Sequence, residues 1–248
     1  MTRALRSEWT KLSTLPSTLW TMLIAVVTAL GGSVIIAFAS ATSANGPFDP
    51  VTGTFIVWGE YPVLAVGVLG SLAVTTEYTA GQIRTTFTAV PRRSLVLAAK
   101  AGAVGLLVLI VSEVLAWIAF AATEVVLAIH DKAVSLGEPG VVRSVIMAGV
   151  AMTAVALLAV GIGAIVRHTV AAVIVFPAIV FLPLVLLSLP WSWSHQIGRF
   201  GLLASAYRLV SPGQHADLLP VWAAVVVLLA WPAIALLGGG FLMRRRDV

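Results

Sequence analysis

Six long apolar stretches limit the folds that this sequence can adopt. They cover about residues 17–39, 55–75, 94–118, 142–166, 169–189 and 221–243 of the 248-residue chain. A helix needs about 20 apolar residues to cross the hydrocarbon layer of a membrane, because each residue advances it by about 1.5 Å. The stretches are continuously apolar, whereas membrane β-strands alternate between apolar and polar residues. The sequence therefore predicts an all-α polytopic membrane protein with six transmembrane helices.

The composition supports a surface that faces lipid. Charged residues make up 10% of the chain and hydrophobic residues 60%, whereas soluble proteins carry about 25% charged residues. The first apolar stretch is longer than the roughly 7–15-residue core of a signal peptide, which predicts a retained anchor. The chain contains no cysteine, so disulfides and cysteine-ligated metals are excluded.

The basic residues predict the orientation. If the six helices cross in turn, the N-terminus, segments 76–93 and 167–168, and the C-terminus share one side. That side carries most of the cationic residues, namely Arg3, Arg6, Lys11, Arg84, Arg92, Arg93, Lys100, Arg167, Arg244, Arg245 and Arg246. Cationic loops resist translocation, so both termini are predicted to be cytoplasmic. Because the positive charge follows topology, we expect no nucleic-acid partner.

Residues 1–16 are predicted to form a cytoplasmic amphipathic helix at the membrane interface, before the transmembrane domain of residues 17–248. Leu5, Trp9 and Leu12 recur at helical spacing on one face. Trp9 suits the interfacial layer, and Lys11 is placed to reach lipid headgroups. The alternative is an ordinary basic leader that only fixes orientation.

The segment 76–93, between the second and third predicted helices, is longer than a turn requires. Ile83, Phe87 and Val90 recur at helical spacing, and Pro91 disfavours helix at the residue before it. A short helix with exposed Phe and Arg side chains could seat in a groove of a partner protein. The alternative is a solvated connector with an accidental apolar stripe.

Three short motifs resemble those of a known family. They are Glu8-Trp9-Thr10-Lys11-Leu12, the pair Glu77-Tyr78 followed by Gly81-Gln82-Ile83-Arg84-Thr85-Thr86, and the closing Arg244-Arg245-Arg246-Asp247. Together they resemble the permease subunits of ATP-binding-cassette (ABC) exporters of the type-2 permease family. The resemblance extends over the whole chain in length and in the number of spans.

The resemblance implies a bacterial inner (plasma) membrane protein that pairs with a second permease subunit, as a homodimer or heterodimer, and docks two copies of a cytoplasmic ATPase. It implies a coupling helix in segment 76–93 and an outer re-entrant or interfacial segment at 190–220. The residues that it implies for ATPase coupling are Glu77, Tyr78, Gly81, Ile83, Arg84, Thr85, Phe87, Pro91 and Arg92.

No phosphate-binding loop of the form G-x-x-x-x-G-K-[ST] occurs in the chain. We therefore expect no cofactor in this chain: ATP and magnesium would belong to the partner ATPase, and the chain would be a transport subunit rather than an enzyme. The four histidines lack metal-ligand spacing, so no metal site is predicted. An apolar interior favours a hydrophobic or amphipathic cargo.

Two acidic residues, Glu60 and Glu113, fall inside apolar stretches at similar predicted depth towards the outer side. Ionisable groups at such positions usually face a cavity or a partner. They predict an outer gate or a polar contact with the cargo, and the alternative is snorkelling to the interface. Two further functions stay open: a proton-coupled secondary carrier that uses these acids, and a membrane scaffold for a soluble ATPase.

Overall fold

A computed structural model describes residues 2–42, 50–79, 81, 93–213 and 217–245, and this part of the chain is helical and contains no strand. The helices are α1 (Thr2–Thr14), α2 (Pro16–Thr42), α3 (Pro50–Ile56), a 3-10 turn (Val57–Gly59), α4 (Tyr61–Thr79), α5 (Arg93–Ala128), α6 (Val141–Val166), α7 (Thr169–Ser188), α8 (Ser192–Gly198), α9 (Leu202–Val210) and α10 (Val221–Arg245). Six of them, α2, α4, α5, α6, α7 and α10, are long and apolar enough to cross a membrane. The predicted all-α fold with six membrane-length helices is therefore confirmed.

Helix α6 lies at the centre of the bundle and packs against α4, α5 and α10. Glycines allow these contacts. A Cβ atom on Gly161 of α6 would lie 2.6 Å from the backbone of Ala235 in α10, and one on Gly70 of α4 would lie 2.5 Å from the carbonyl oxygen of Ala156 in α6. Small residues let helix backbones approach closely where lipid supplies no hydrophobic driving force.

The second apolar stretch, which the sequence predicts as one span over about residues 55–75 with a kink at Pro62, is interrupted. Helix α3 passes into the 3-10 turn, Glu60 leaves helical geometry with φ −109° and ψ −103°, and α4 begins at Tyr61. Pro62 lies in the first turn of α4, where its missing N–H needs no partner. The irregularity expected in this span therefore lies at Glu60, two residues before Pro62.

Helix α5 extends beyond the span predicted over residues 94–118, for which the sequence left open a projection beyond the bilayer or a break near Trp117. Its 36 residues correspond to about 54 Å, against about 30 Å of hydrocarbon. The helix runs without a break past residue 118, where the third span was predicted to end. Its far end is held by polar contacts: the Glu124 carboxylate accepts a hydrogen bond from the Val134 amide at 2.7 Å, and Lys132 donates to the Ser40 carbonyl at 2.9 Å.

The turn between α6 and α7 fixes one end of the bundle. Arg167 adopts left-handed geometry with φ 60°. Its guanidinium donates to the carbonyl of Leu242 in α10 at 3.0 Å and lies 5.3 Å from the ring centroid of Tyr78 in α4. The last turns of α4, α6 and α10 therefore meet here, and we call this the terminal end. The opposite end, where α6 begins at Val141, is the far end.

The segment 190–220 forms α8 and α9 at the far end. Helix α9 packs against α3, α6, α7 and α10, and its side chains Leu202, Leu203 and Leu209 are buried. Trp191 and Trp193 remain exposed, with their rings stacked at 5.6 Å. This segment closes the far end of the bundle with one buried helix and a pair of exposed indoles.

Candidate functional site

Four charged side chains from three helices meet at the terminal end. Glu8 and Lys11 come from α1, Glu77 from the last turn of α4, and Lys100 from the second turn of α5. We call these four residues the charged cluster. When all four groups are ionised, two carboxylates and two ammonium groups give no net charge. Each charge then has a partner of opposite sign, as a buried charge requires.

Lys100 is the centre of the charged cluster, with a side chain that is only 2% exposed. Its ammonium group donates to Glu8 Oε2 at 2.8 Å, to Glu77 Oε1 at 2.7 Å and to the carbonyl of Ala73 at 3.1 Å. An ammonium group has three protons, and each has an acceptor here. Lys100 therefore holds α1, α4 and α5 together at one point.

Lys11 bridges the same two carboxylates from a more open position. Its ammonium group lies 2.9 Å from Glu8 Oε1 and 2.7 Å from Glu77 Oε1, and its side chain is 42% exposed. Burial lowers the pKa of Lys11, but the hydrogen bonds and charges of Glu77 and Glu8 outweigh burial and raise the pKa above the ordinary 10.5. Protonated Lys11 therefore stabilises the packing of α1 on the bundle. This contribution is fully present below pH 10.5 and is lost as the pH rises through the raised pKa.

The cluster changes the interpretation of α1. The sequence placed Lys11 at the lipid headgroups, whereas in the structure its ammonium group pairs with two carboxylates of the protein. Leu12 is buried and Trp9 is 40% exposed, so these two members of the predicted apolar face have different surroundings. The side chain of Leu5 lies outside the described residues. Helix α1 is attached to the bundle mainly through the charged cluster and its packing on α5.

The cluster lies at the base of the predicted coupling segment. Helix α4 ends at Thr79 and α5 begins at Arg93, so Glu77 and Lys100 flank the intervening residues on both sides. Of the residues predicted for coupling, Glu77 belongs to the cluster, Tyr78 lies under the Arg167 guanidinium, and Gly81 is exposed with φ 69°. The others, Ile83, Arg84, Thr85, Phe87, Pro91 and Arg92, lie outside the described residues.

A cavity of about 370 Å³ adjoins the cluster. All four cluster residues line it, and threonines of α1, α2 and α4, including Thr18 and Thr76, add hydroxyl groups. The Oε2 atom of Glu77 is buried without a hydrogen-bond partner among the described residues. The cluster therefore borders a cavity that both hydroxyl-bearing and apolar side chains line.

At the far end, the structure separates the two acids that the sequence grouped. The Glu113 carboxylate of α5 lies against Gly149 of α6, where an added Cβ would come within 2.5 Å of Oε1. Glu60 instead lines a cavity of about 480 Å³ between α3, α4, α6, α7 and α9. Glu113 is not among the described residues that line this cavity. Glu113 therefore contacts α6 directly, whereas Glu60 lines a cavity to which α6 contributes Ala148 and Met152, and this lining does not join the two acids in one site.

Sequence reasoning counted Lys100 only as a topological charge and noted Glu8 only as part of a motif. The signal for the cluster was present: a single lysine lies about two turns inside an apolar stretch, where an ammonium group requires acidic partners. The identity of those partners was not readable, because Glu8 is 92 residues away in sequence.

The charged cluster joins α1, α4 and α5 through ion pairs. In the described part of the chain, no group of three or more His, Asp or Glu side chains could hold a metal ion. The sequence matches no family model and no curated protein. The functional argument therefore depends on the motifs, the charged cluster and the two cavities.

Proposed function

We propose that this chain is the membrane-spanning permease subunit of an ABC exporter, moving a hydrophobic or amphipathic cargo outward. ATP would be bound with magnesium and hydrolysed by two copies of a separate cytoplasmic ATPase, and the chain would pair with a second permease subunit in a bacterial inner membrane. The observation that carries the proposal is the charged cluster at the base of segment 80–92, next to the motif that resembles a coupling loop.

The cluster supports mechanical coupling because it makes three helices respond as one. A displacement of segment 80–92 acts on the end of α4 and the start of α5, which are joined by the Glu77–Lys100 pair at 2.7 Å. A buried ion pair tolerates little change in geometry, since a separated partner would be left charged and unpaired. Glu8 adds α1 to the same unit.

Close packing provides the path from the terminal end to the centre of the bundle. An added Cβ on Gly163 of α6 would lie 3.1 Å from the carbonyl of Ser71 in α4. Because the two helices are this close, α4 cannot tilt without displacing α6 or sliding along it. Helix α4 starts at the break that carries Glu60, beside the far-end cavity. A push at one end of α4 would therefore change the shape of the cavity at its other end.

In this proposal the terminal end is cytoplasmic. The distribution of Lys and Arg residues supports that orientation, and α1 lies where an interfacial helix would meet the inner leaflet. Because the chain has no phosphate-binding loop of the form G-x-x-x-x-G-K-[ST], ATP-driven export through it would need a partner that binds ATP.

Transport in reconstituted vesicles tests the proposal. The tagged chain is purified with its bound proteins from its native membrane, reconstituted, and assayed for ATP- and magnesium-dependent movement of a fluorescent lipophilic dye. We expect transport that continues when a protonophore removes the proton gradient. Transport that requires the gradient and ignores ATP would replace the proposal with a proton-coupled carrier. ATP hydrolysis without transport of any tested lipophilic compound would favour the scaffold.

A further inference from the structure

The far-end cavity has the size and the lining of a ligand site. Its volume of about 480 Å³ falls within the range of about 300–1,000 Å³ that is typical of small-molecule pockets. Most of its wall is apolar and includes Phe55, Trp58, Val63, Met152, Leu184 and Leu203. It opens at the break between α3 and α4, and interrupted helices of this kind form ligand sites in other membrane transport proteins.

The charge of the lining has one sign. Glu60 and Asp217 are its charged members, and no Lys or Arg occurs among the described residues that line the cavity. Both acidic side chains are exposed, so they lie where the cavity meets its surroundings. An apolar pocket with two carboxylates at its opening is complementary to a molecule with an apolar body and a positive group.

The aromatic wall is held in place before any ligand arrives. The Trp58 indole N–H donates to the hydroxyl of Ser33 in α2 at 3.1 Å, and that hydroxyl in turn donates to the Thr54 carbonyl. The rings of Phe55 and Trp58 meet edge to face, with centroids 5.4 Å apart. A wall that is already ordered loses little entropy on binding.

We propose that this cavity binds an amphipathic organic cation, with its apolar groups against the Phe55–Trp58 wall and its positive charge near Glu60 and Asp217. As a statement about cargo, this inference rests on the proposed export function. As a statement about binding, it concerns the chain alone and requires neither an ATPase nor ATP.

Two ions of nearly the same shape and opposite charge provide the test. The purified chain in phosphatidylcholine nanodiscs is titrated with radiolabelled tetraphenylphosphonium and, separately, with tetraphenylborate, and binding to empty nanodiscs is subtracted. We expect saturable binding of the cation and weaker binding of the anion. Glu60→Gln and Asp217→Asn should each lower the affinity for the cation by roughly threefold to fivefold, as expected for exposed charge pairs. The double variant should lower it by about tenfold or more.

Glu138→Gln is the matched control, because Glu138 is an exposed acid that does not line the cavity. It should bind the cation as the unaltered chain does. Ala206→Phe places a ring inside the cavity and should abolish binding of the cation, while the circular dichroism spectrum and the elution volume stay unchanged. Equal affinity for the two ions, or equal effects of Glu60→Gln and Glu138→Gln, would overturn the inference. A chain that binds the cation without ATP-driven transport would contradict the proposed export function and leave the binding inference standing.

Discussion

Replacing Lys100 by Met should release α1 from the bundle. Methionine keeps the length and apolar volume of the stem but removes the ammonium group that contacts Glu8 and Glu77 at 2.8 and 2.7 Å. The two carboxylates, whose side chains are 11% and 7% exposed, would then share Lys11 as their remaining cation among the described residues.

The magnitude follows from burial. Removing one partner of a buried ion pair costs about 3–5 kcal/mol, because the other partner stays buried and uncompensated. Both carboxylates line the adjacent cavity, and water there would offset part of the cost, so we expect a value near the lower limit, at about 3 kcal/mol. Lys11→Met should cost about 1 kcal/mol or less, since that side chain is 42% exposed.

Thiol labelling measures this release directly. The chain has no cysteine, so Leu12→Cys introduces a single thiol at a position that is 8% exposed in the docked helix. If labelling proceeds through transient undocking of α1, 3 kcal/mol corresponds to a rate increase of roughly 100-fold.

The double variant Lys100→Met with Glu77→Gln is the matched control. It restores the charge balance, with Lys11 left to pair with Glu8, and should recover a substantial part of the lost protection. If Lys100→Met changes the labelling rate by less than about threefold, or if the double variant labels faster than the single one, the cluster does not hold α1 in place.

Three further predictions concern the free energy of unfolding, measured by SDS titration in mixed micelles with circular dichroism. Trp58→Phe should lower it by about 1–3 kcal/mol, because the hydrogen bond to Ser33 is lost and a smaller ring leaves space; no change would mean that the bond contributes nothing. Gly161→Ala should lower the free energy of unfolding by about 1–3 kcal/mol through overpacking against α10. Gly238→Ala is the control: its added methyl would lie 3.7 Å from the nearest contact, so this variant should be neutral or stabilising by up to about 1 kcal/mol. Equal effects of the two substitutions would contradict the packing argument. Arg167→Asn tolerates the left-handed backbone but loses the contacts to Tyr78 and Leu242, so it should cost about 1–2 kcal/mol, and a stabilised variant would refute that assignment.

The helices were predictable because hydropathy alone determines which segments can lie in lipid. The residues at which these helices begin and end were less predictable. Residues 119–128 are as suited to a helix as those before them. An apolar stretch does not mark where a helix leaves the membrane, so the sequence left open whether the third span projects beyond the bilayer or breaks near Trp117. A kink in the second span was expected at Pro62, but hydropathy averages over local backbone geometry and did not place the break at Glu60.

The candidate site was predictable in part. The motif containing Glu77 and Tyr78 directed attention to the end of α4 where the charged cluster lies, and Glu60 was singled out by its charge in an apolar stretch. The pairing of Lys100 with Glu8 was not predictable, because it depends on α1 folding back against α5. The acidic lining of the far-end cavity was not predictable either, because it depends on the packing of five helices, after which both Asp217 and Glu60 line the cavity.

The most direct test of the account asks whether energy enters through segment 80–92. The chain with Arg84→Ala and Phe87→Ala is purified from its native membrane beside the unaltered chain, and vanadate-sensitive ATP hydrolysis and ATP-driven dye transport are measured per mole of chain. We expect the double variant to lose both activities by at least about tenfold, as for the removal of two docking residues, while labelling of Leu12→Cys stays slow because the charged cluster is intact. Undiminished hydrolysis and transport in the double variant would contradict the account, and so would an unaltered chain that carries no ATP-hydrolysing partner.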